Sequence, residues 1–197
     1  MRARIDGGTV TLRRWHEQDA APLHEVVRES LAHLRPWMAW ATDGYTLEAA
    51  AGFVTGTADE WARGTAFNYA IVVSDRIVGA ASLMARIGPG GLELGYWLRP
   101  AFVGRGVATR AAALLVAEAC HAGARRVEIV TDVANARSAA IPRRLGFEEV
   151  GRRPPQEPVT PGEDGLDVVW RLTLTGVDPG KLRDLPESAF SPERIVS

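Results

Sequence analysis

The 197-residue chain has one cysteine, Cys120, and one lysine, Lys181. A single thiol excludes a disulfide framework and a thiolate metal cluster, and its place in the apolar run ALLVAEAC reads as core packing. His16, His24, His33 and His121 lack ligand spacing, so no metal is expected. Charge of one sign is also missing: 23 basic residues stand against 24 acidic ones, a formal net charge of −1. Such a chain has neither the basic field that draws nucleic acid nor an acidic tail, so no nucleic-acid partner is expected. No stretch approaches the ~20 apolar residues of a membrane span, and the N-terminal MRARIDGGTVTLRRW lacks the apolar core of a signal peptide. The expectation is a cytoplasmic protein with no membrane partner. Internal repeats and long linkers are absent too. One domain is therefore expected over residues 1–175, followed by an extended, proline-interrupted tail over 176–197.

What is present is a large apolar share, 46% of the residues, enough for one substantial core. Thr9 to Arg14 alternates like a strand, and Asp19 opens a helical pattern through Leu23, Val26, Val27 and Leu31. Pro36 breaks that periodicity between Leu34 and Trp40, and Thr46 is placed to cap a second helix reaching about Arg63. Phe67 to Val73 and Ile77 to Ala85 are apolar runs joined by Ser74-Asp75-Arg76, the pattern of a hairpin. A strand over 92–98, a helix to about His121, a buried strand over 127–131, a helix capped by Asn135 and two closing strands over 147–152 and 167–173 complete the pattern. An antiparallel meander followed by one strand-helix-strand crossover predicts an α+β fold: a single mixed, mostly antiparallel sheet flanked by helices.

Between the strand ending at Leu98 and the helix that follows lies Val103-Gly104-Arg105-Gly106-Val107-Ala108. Two glycines at a helix start let the backbone approach a ligand closely, and the exposed N–H groups there favour an anion. A nucleotide P-loop would need a Lys-Ser/Thr pair where Val107-Ala108 stands, and a dinucleotide fingerprint would need a parallel strand before it. A plain turn between strand and helix is the alternative left by the glycines alone.

In their order, these elements and motifs resemble the GNAT superfamily of acetyl-CoA-dependent N-acetyltransferases, and within it the RimJ/RimL-like, ribosomal-protein branch. The resemblance spans about residues 9 to 174. Its blocks are Leu34-Arg-Pro-Trp-Met, Leu94-Gly-Tyr-Trp-Leu-Arg-Pro, the glycine motif, Asn135-Ala-Arg-Ser138 and Leu145-Gly-Phe147. It implies that Val103, Gly104, Arg105, Gly106, Val107, Ala108 and Thr109 hold the pyrophosphate of acetyl-CoA at the helix start. Val103 departs from the family's usual Arg or Gln, and Arg105 reads equally as a solvated loop residue. Trp97 and Leu98, on the splayed end of their strand, and Asn135 are implied to line the thioester and the pantetheine arm.

Acetyl transfer to an amine needs a neutral nitrogen, donors for the carbonyl oxygen and a proton for the departing thiolate. The family's tyrosine, four residues before the Gly-Phe pair, is replaced here by Pro142. Ser138 is the implied substitute, although a serine in a first helical turn has a plain structural reading as well. Glu93 and Glu157 compete as the base, with Glu157 at the branch's spacing. Trp37, Trp40 and Tyr45 are expected to wall the acceptor groove, or to staple two helices. The expected reaction is acetyl transfer to a primary amine, with a protein N-terminus as the acceptor. A small-molecule amine, such as an antibiotic or polyamine, and a non-catalytic acyl-CoA-binding module are the alternatives. An apolar-rich helix and the tail are compatible with a homodimer.

Overall fold

In the computed structural model residues 1–176, together with Asp178 and Gly180, are described; the expected tail over 176–197 falls almost wholly outside them. The chain order is β1 (Arg4–Gly7), β2 (Val10–Arg14), α1 (Ala20–Leu34), α2 (Leu47–Arg63), β3 (Ala66–Val73), β4 (Arg76–Met84) and β5 (Gly91–Leu98), then α3 (Val107–His121), β6 (Arg126–Asp132), α4 (Ala136–Arg144), β7 (Glu148–Arg153) and β8 (Asp167–Thr173). The strands form one sheet in the order β1-β2-β3-β4-β5-β6-β8-β7. Every neighbouring pair is antiparallel except β5 and β6, which the α3 crossover makes parallel. This is the α+β mixed sheet that the alternation and helix periods predict.

Local chemistry sets the element ends. The Thr46 hydroxyl accepts the Ala49 N–H at 3.2 Å and starts α2, and the Asn135 side chain accepts the Ser138 N–H at 3.0 Å and starts α4. Ser74 and Asp75, with φ of 48° and 58°, make the two-residue turn whose handedness matches the strand twist of the β3–β4 hairpin. β1 is the element that sequence reading missed, because four residues are too short to display alternation. Its partner makes it: Ile5 pairs with Leu12 and is buried, while the Tyr69 hydroxyl donates to the Arg2 carbonyl at 2.8 Å just before it.

Two hydrophobic clusters lie on opposite faces of the sheet, because adjacent strand residues point to opposite sides. Tyr69 and Ile71 join the cluster of α3 and α4, whereas Ala70 joins that of α1 and α2. Helix α3 is apolar nearly all round, and Ala111 through Val116 are fully buried. Its one buried charge, Glu118, is met by the Arg2 guanidinium at 2.5 Å.

The feature that positions the site is a break in pairing. β5 and β6 pair only over Gly91–Glu93 against Arg126–Glu128, after which β5 continues to Leu98 and β6 to Asp132 without a ladder between them. Backbone groups alternate along a strand, and the Arg99 N–H bonds the Val78 carbonyl on the β4 side. The peptide groups of Leu94, Tyr96 and Leu98 consequently face the wedge between β5 and β6.

Candidate active site

Two large cavities, of about 950 and 940 Å³, adjoin the end of β5, and Trp37, Met38, Tyr96 and Trp97 line both. The first lies against the start of α3. Gly106 is the residue before the helix, with φ of 73°, and no side chain caps the first turn. Gly104 also takes a left-handed φ, 75°. A side chain at Gly106 would strain the left-handed backbone, and the uncapped N–H groups at the start of α3 can receive a negatively charged ligand. Trp97, Leu98, Val103, Gly104, Gly106, Val107, Ala108, Thr109 and Asn135 all line this cavity. Arg105 departs from that set: it is exposed, and its guanidinium carbon lies 5.8 Å from the Phe102 ring centre. Arg137 and Arg144 also line the cavity and supply positive charge that sequence reading did not assign, and His33 lines it as well. Burial holds the His33 pKa below its ordinary value, helped by the Arg137 charge.

Ser138, half-buried in the first turn of α4, lines the same cavity. Its hydroxyl lies 3.1 Å from the Tyr96 hydroxyl, which also donates to the Ser138 carbonyl at 3.2 Å. Tyr96 belongs to the Leu94–Pro100 block, yet no role for its side chain was legible, because the contact joins residues 42 apart in sequence. Burial pushes the Tyr96 phenol pKa upward, partly offset by Ser138, so the group stays protonated at neutral pH. Pro142 occupies the interior of α4 and is buried, which confirms that no hydroxyl comes from that position.

The second cavity lies on the other side of the shared residues. Trp37, Trp40 and Tyr45 line it, with Trp40 5.8 Å from Tyr45 and 5.9 Å from Trp97 between ring centres. Glu93 and Glu157 line it too. Glu93 is buried and ion-paired with Arg86, while Glu157 is exposed on the loop between β7 and β8. The hydrogen bond to Glu93 raises the Arg86 pKa, and the nearby Glu157 charge adds to that pull. Glu60, Glu163, Asp167 and Arg153 complete the polar end. Burial raises the Asp167 pKa against the opposing pull of Arg153.

One buried carboxylate ties the two cavities together from behind. Asp132, at the end of β6, accepts N–H bonds from Ala134 (2.8 Å), Asp164 (3.0 Å), Gly165 (3.0 Å) and Leu166 (3.1 Å). Burial alone would raise its pKa, but these four donors hold it below the ordinary carboxylate value. The same residue thus fixes the turn that launches α4 and the end of the β7–β8 loop. That loop is latched in turn to the aromatic segment, where the Pro36 carbonyl accepts from the Thr160 hydroxyl and from the Gly162 N–H.

Residues 9–148 match the family model described as an acetyltransferase (GNAT) domain. YdaF of Bacillus subtilis (strain 168), named as a candidate ribosomal N-acetyltransferase, is 39% identical over 61 residues, 30% of this chain and 33% of its own length. The chain thus spans about a third of that relative in the match. A solved RimL, a ribosomal L7/L12 α-N-protein acetyltransferase in complex with coenzyme A, is 26% identical with a TM-score of 0.80, covering 86% of this chain and 97% of that one. A Salmonella typhimurium acetyltransferase that modifies the N-terminal serine of 50S ribosomal protein L7/L12 is 27% identical with a TM-score of 0.76, covering 89% and 99%.

Proposed function

The chain belongs to the GNAT acetyltransferases, and from that premise we propose that it transfers an acetyl group from acetyl-CoA to a primary amine, the α-amine of a protein N-terminus. The observation that carries this reading is the pair of cavities meeting at Tyr96 and Trp97 on the unpaired end of β5. A pyrophosphate at the start of α3 and an arm running along the wedge toward Asn135 and Ser138 bring the thioester carbonyl beside the peptide groups of Tyr96 and Leu98. Those N–H groups stabilise the oxygen as it gains charge, a contribution worth about 3–4 kcal/mol per donor in comparable acyl-transfer sites. The amine enters from the aromatic cavity. Glu157 takes its proton through water, since Glu93 is engaged by Arg86, and Ser138 protonates the departing thiolate.

The α-amine is favoured because its ordinary pKa of about 7.7–8.0 leaves roughly a tenth to a sixth of it neutral at pH 7, whereas only about one lysine in 2,500 is neutral there. The similarity to acetyltransferases of ribosomal-protein N-termini supports the same acceptor class. Among the described residues no helix is long and apolar enough to cross a membrane, and the reaction is assigned to the cytoplasm, where acetyl-CoA and nascent N-termini meet. Thiol release from acetyl-CoA should be followed with three acceptors: a hexapeptide with a free N-terminus, its N-terminally blocked form with one internal lysine, and spermidine. Release with the first alone supports the reading, release with spermidine alone replaces the acceptor by a small amine, and no release with any of them removes the catalytic claim.

A further inference from the structure

Glycine inside a helix calls for a reason. It loses more backbone freedom on folding than any other residue and adds no packing, so alanine at the same place ordinarily gives a more stable chain. Two reasons are common: a left-handed backbone, or a neighbour too close to admit a Cβ. Gly79 has the second, since a Cβ there would overlap the Trp97 carbonyl oxygen. Gly52 and Gly56 have neither. Both lie inside α2 with helical backbones, and a Cβ built on either meets no atom within 4 Å.

What the two share is the acceptor cavity. α2 buries Ala50, Val54 and Thr57 on one face, while Gly52, Phe53, Gly56 and Glu60 line the cavity along the neighbouring flank. Gly52, Gly56 and Glu60 follow one another at intervals of four residues, about one turn and 6 Å of helix. A glycine has only backbone atoms with which to line a cavity, so at these two positions the helix main chain is itself the wall. Its N–H and C=O groups are already paired within the helix, and the strip therefore offers close approach without hydrogen bonds. Phe53, next to Gly52, is 40% exposed although it lines the same cavity, which leaves apolar surface to be covered. Glu60 ends the strip, its carboxylate accepting from the Asn68 amide at 2.6 Å.

We propose that Gly52 and Gly56 are specificity-determining residues of the acceptor cavity, opening a strip of α2 against which the peptide chain behind the acceptor amine packs. The proposal rests on the acetyltransferase reading above and adds to it what selects a chain-like acceptor. An extended main chain is narrow, and its rise of about 3.3 Å per residue lays roughly two residues along the 6 Å between the glycines. The contact needs no charge, so the strip reads the presence of a chain and not its sequence. Room for the acceptor is obtained at the expense of helix stability, the opposition between function and stability that binding sites show.

The test compares the full-length protein with Gly52→Ala, Gly56→Ala and the double variant. Thermal melts, coenzyme A affinity by calorimetry and steady-state acetyl transfer are measured for each, with two acceptors: the free-N-terminus hexapeptide and alaninamide, an α-amine with no chain behind it. The double variant should melt about 2–6 °C above wild type, because two helical glycines are relieved and nothing is displaced. Its KM for the hexapeptide should rise roughly 10- to 100-fold, the effect of methyl groups forced into a close contact. Turnover at saturating hexapeptide and coenzyme A affinity should stay within about threefold of wild type, the signature of lost binding without lost chemistry. Transfer to alaninamide should likewise hold within about threefold in kcat/KM. A hexapeptide KM within about threefold of wild type would overturn the proposal, as would an equal loss on alaninamide. A lower melting temperature would show that the glycines serve the fold, and would overturn it too. An active wild type with an insensitive double variant separates these failures from failure of the acetyltransferase reading, in which the wild type transfers to neither acceptor.

Discussion

Replacing Asp132 by Asn should destabilise the chain more than a near-isosteric change ordinarily does. The carboxylate is 5% exposed, with Ala134 and Asp164 donating to one oxygen and Gly165 and Leu166 to the other. Asparagine retains one acceptor oxygen and turns an NH2 group toward the other pair of donors. Two backbone N–H groups are then left without partners, at about 1–3 kcal/mol each, and the two that remain lose the strengthening that a charged acceptor gives. Relaxation of the exposed side of the β7–β8 loop recovers part of this, which gives an expected loss of about 3 kcal/mol. For a chain of this length that corresponds to a melting temperature lower by about 6–12 °C at pH 7. The pH dependence carries the sign. Because the folded-state pKa lies below the ordinary 3.8, the stabilisation is fully present above that value and is lost as the pH falls through the lower folded value. Wild type and Asp132→Asn should therefore converge in acid, in thermal melts followed by circular dichroism from pH 7 down to about pH 2. The acceptor KM should also rise, because Asp132 fixes the end of the loop that carries Glu157. A melting-temperature difference under about 2 °C at pH 7, or one that persists unchanged into acid, would refute the reasoning.

Gly106→Asp should abolish coenzyme A binding, at a cost above ~2 kcal/mol, by straining a left-handed backbone and placing a like charge beside the pyrophosphate; unchanged affinity by calorimetry in a folded variant would remove the anion site from the start of α3. Ser138→Ala should lower turnover by about 10²–10⁴-fold while acetyl-CoA affinity holds, and a loss of only a few-fold with chemistry rate-limiting would return Ser138 to a helix-start role. Glu157→Gln should slow transfer to a free α-amine more than Glu93→Gln does, as measured in pH–rate profiles, and the reverse order would move the base onto β5.

Much of the fold was legible because its signals are local. Thr46 and Asn135 sit where a cap must sit, Ser74-Asp75 is a turn bounded by apolar runs, and the run after Gly106 has the period of a buried helix. Each of these is settled within a few residues. The parallel β5–β6 contact could be inferred from the crossover, but the residue at which it stops could not. That point, Glu93 against Glu128, depends on how two strands diverge under their helices. Part of the cavity at the start of α3 was legible because one contiguous motif, Val103 to Thr109, contributes to its lining, and Arg105 fell outside it because side-chain direction in a loop has no periodicity to read. The acceptor cavity was legible only in fragments. Arg86 comes from the β4–β5 loop, Arg153 from β7 and Asp167 from β8, and their charges acquire meaning only when the β7–β8 loop folds back onto Pro36. Asp132 left no sequence signal at all, because its four partners are backbone groups.

The state of the acceptor-side carboxylates bears on which amine this site can serve. Glu93 is committed to Arg86, Glu60 accepts from the Asn68 side chain at 2.6 Å, and Glu163 accepts the Thr160 N–H at 2.8 Å. Among the described residues Glu157 makes no hydrogen bond or ion pair, and it stands on an exposed loop. If Glu157 is the base proposed above, its setting lets it reach the nitrogen through water and does not force it into a strong, desolvated contact. Such a group can collect the proton of an amine that is already neutral in roughly a tenth to a sixth of molecules at pH 7, but it supplies little toward the shift of more than a thousandfold that a lysine needs. The aromatic walls add only apolar surface, while the remaining charges sit at the polar end of the cavity, so on the proposed reading much of the free energy for neutralising a lysine would have to come from binding. An N-terminal α-amine asks for none of this, and its chain can extend from the transfer point past Trp40, which is 42% exposed at the cavity mouth. On the proposed reading, a water-linked Glu157 and the open aromatic groove both suit an acceptor whose nitrogen arrives nearly ready.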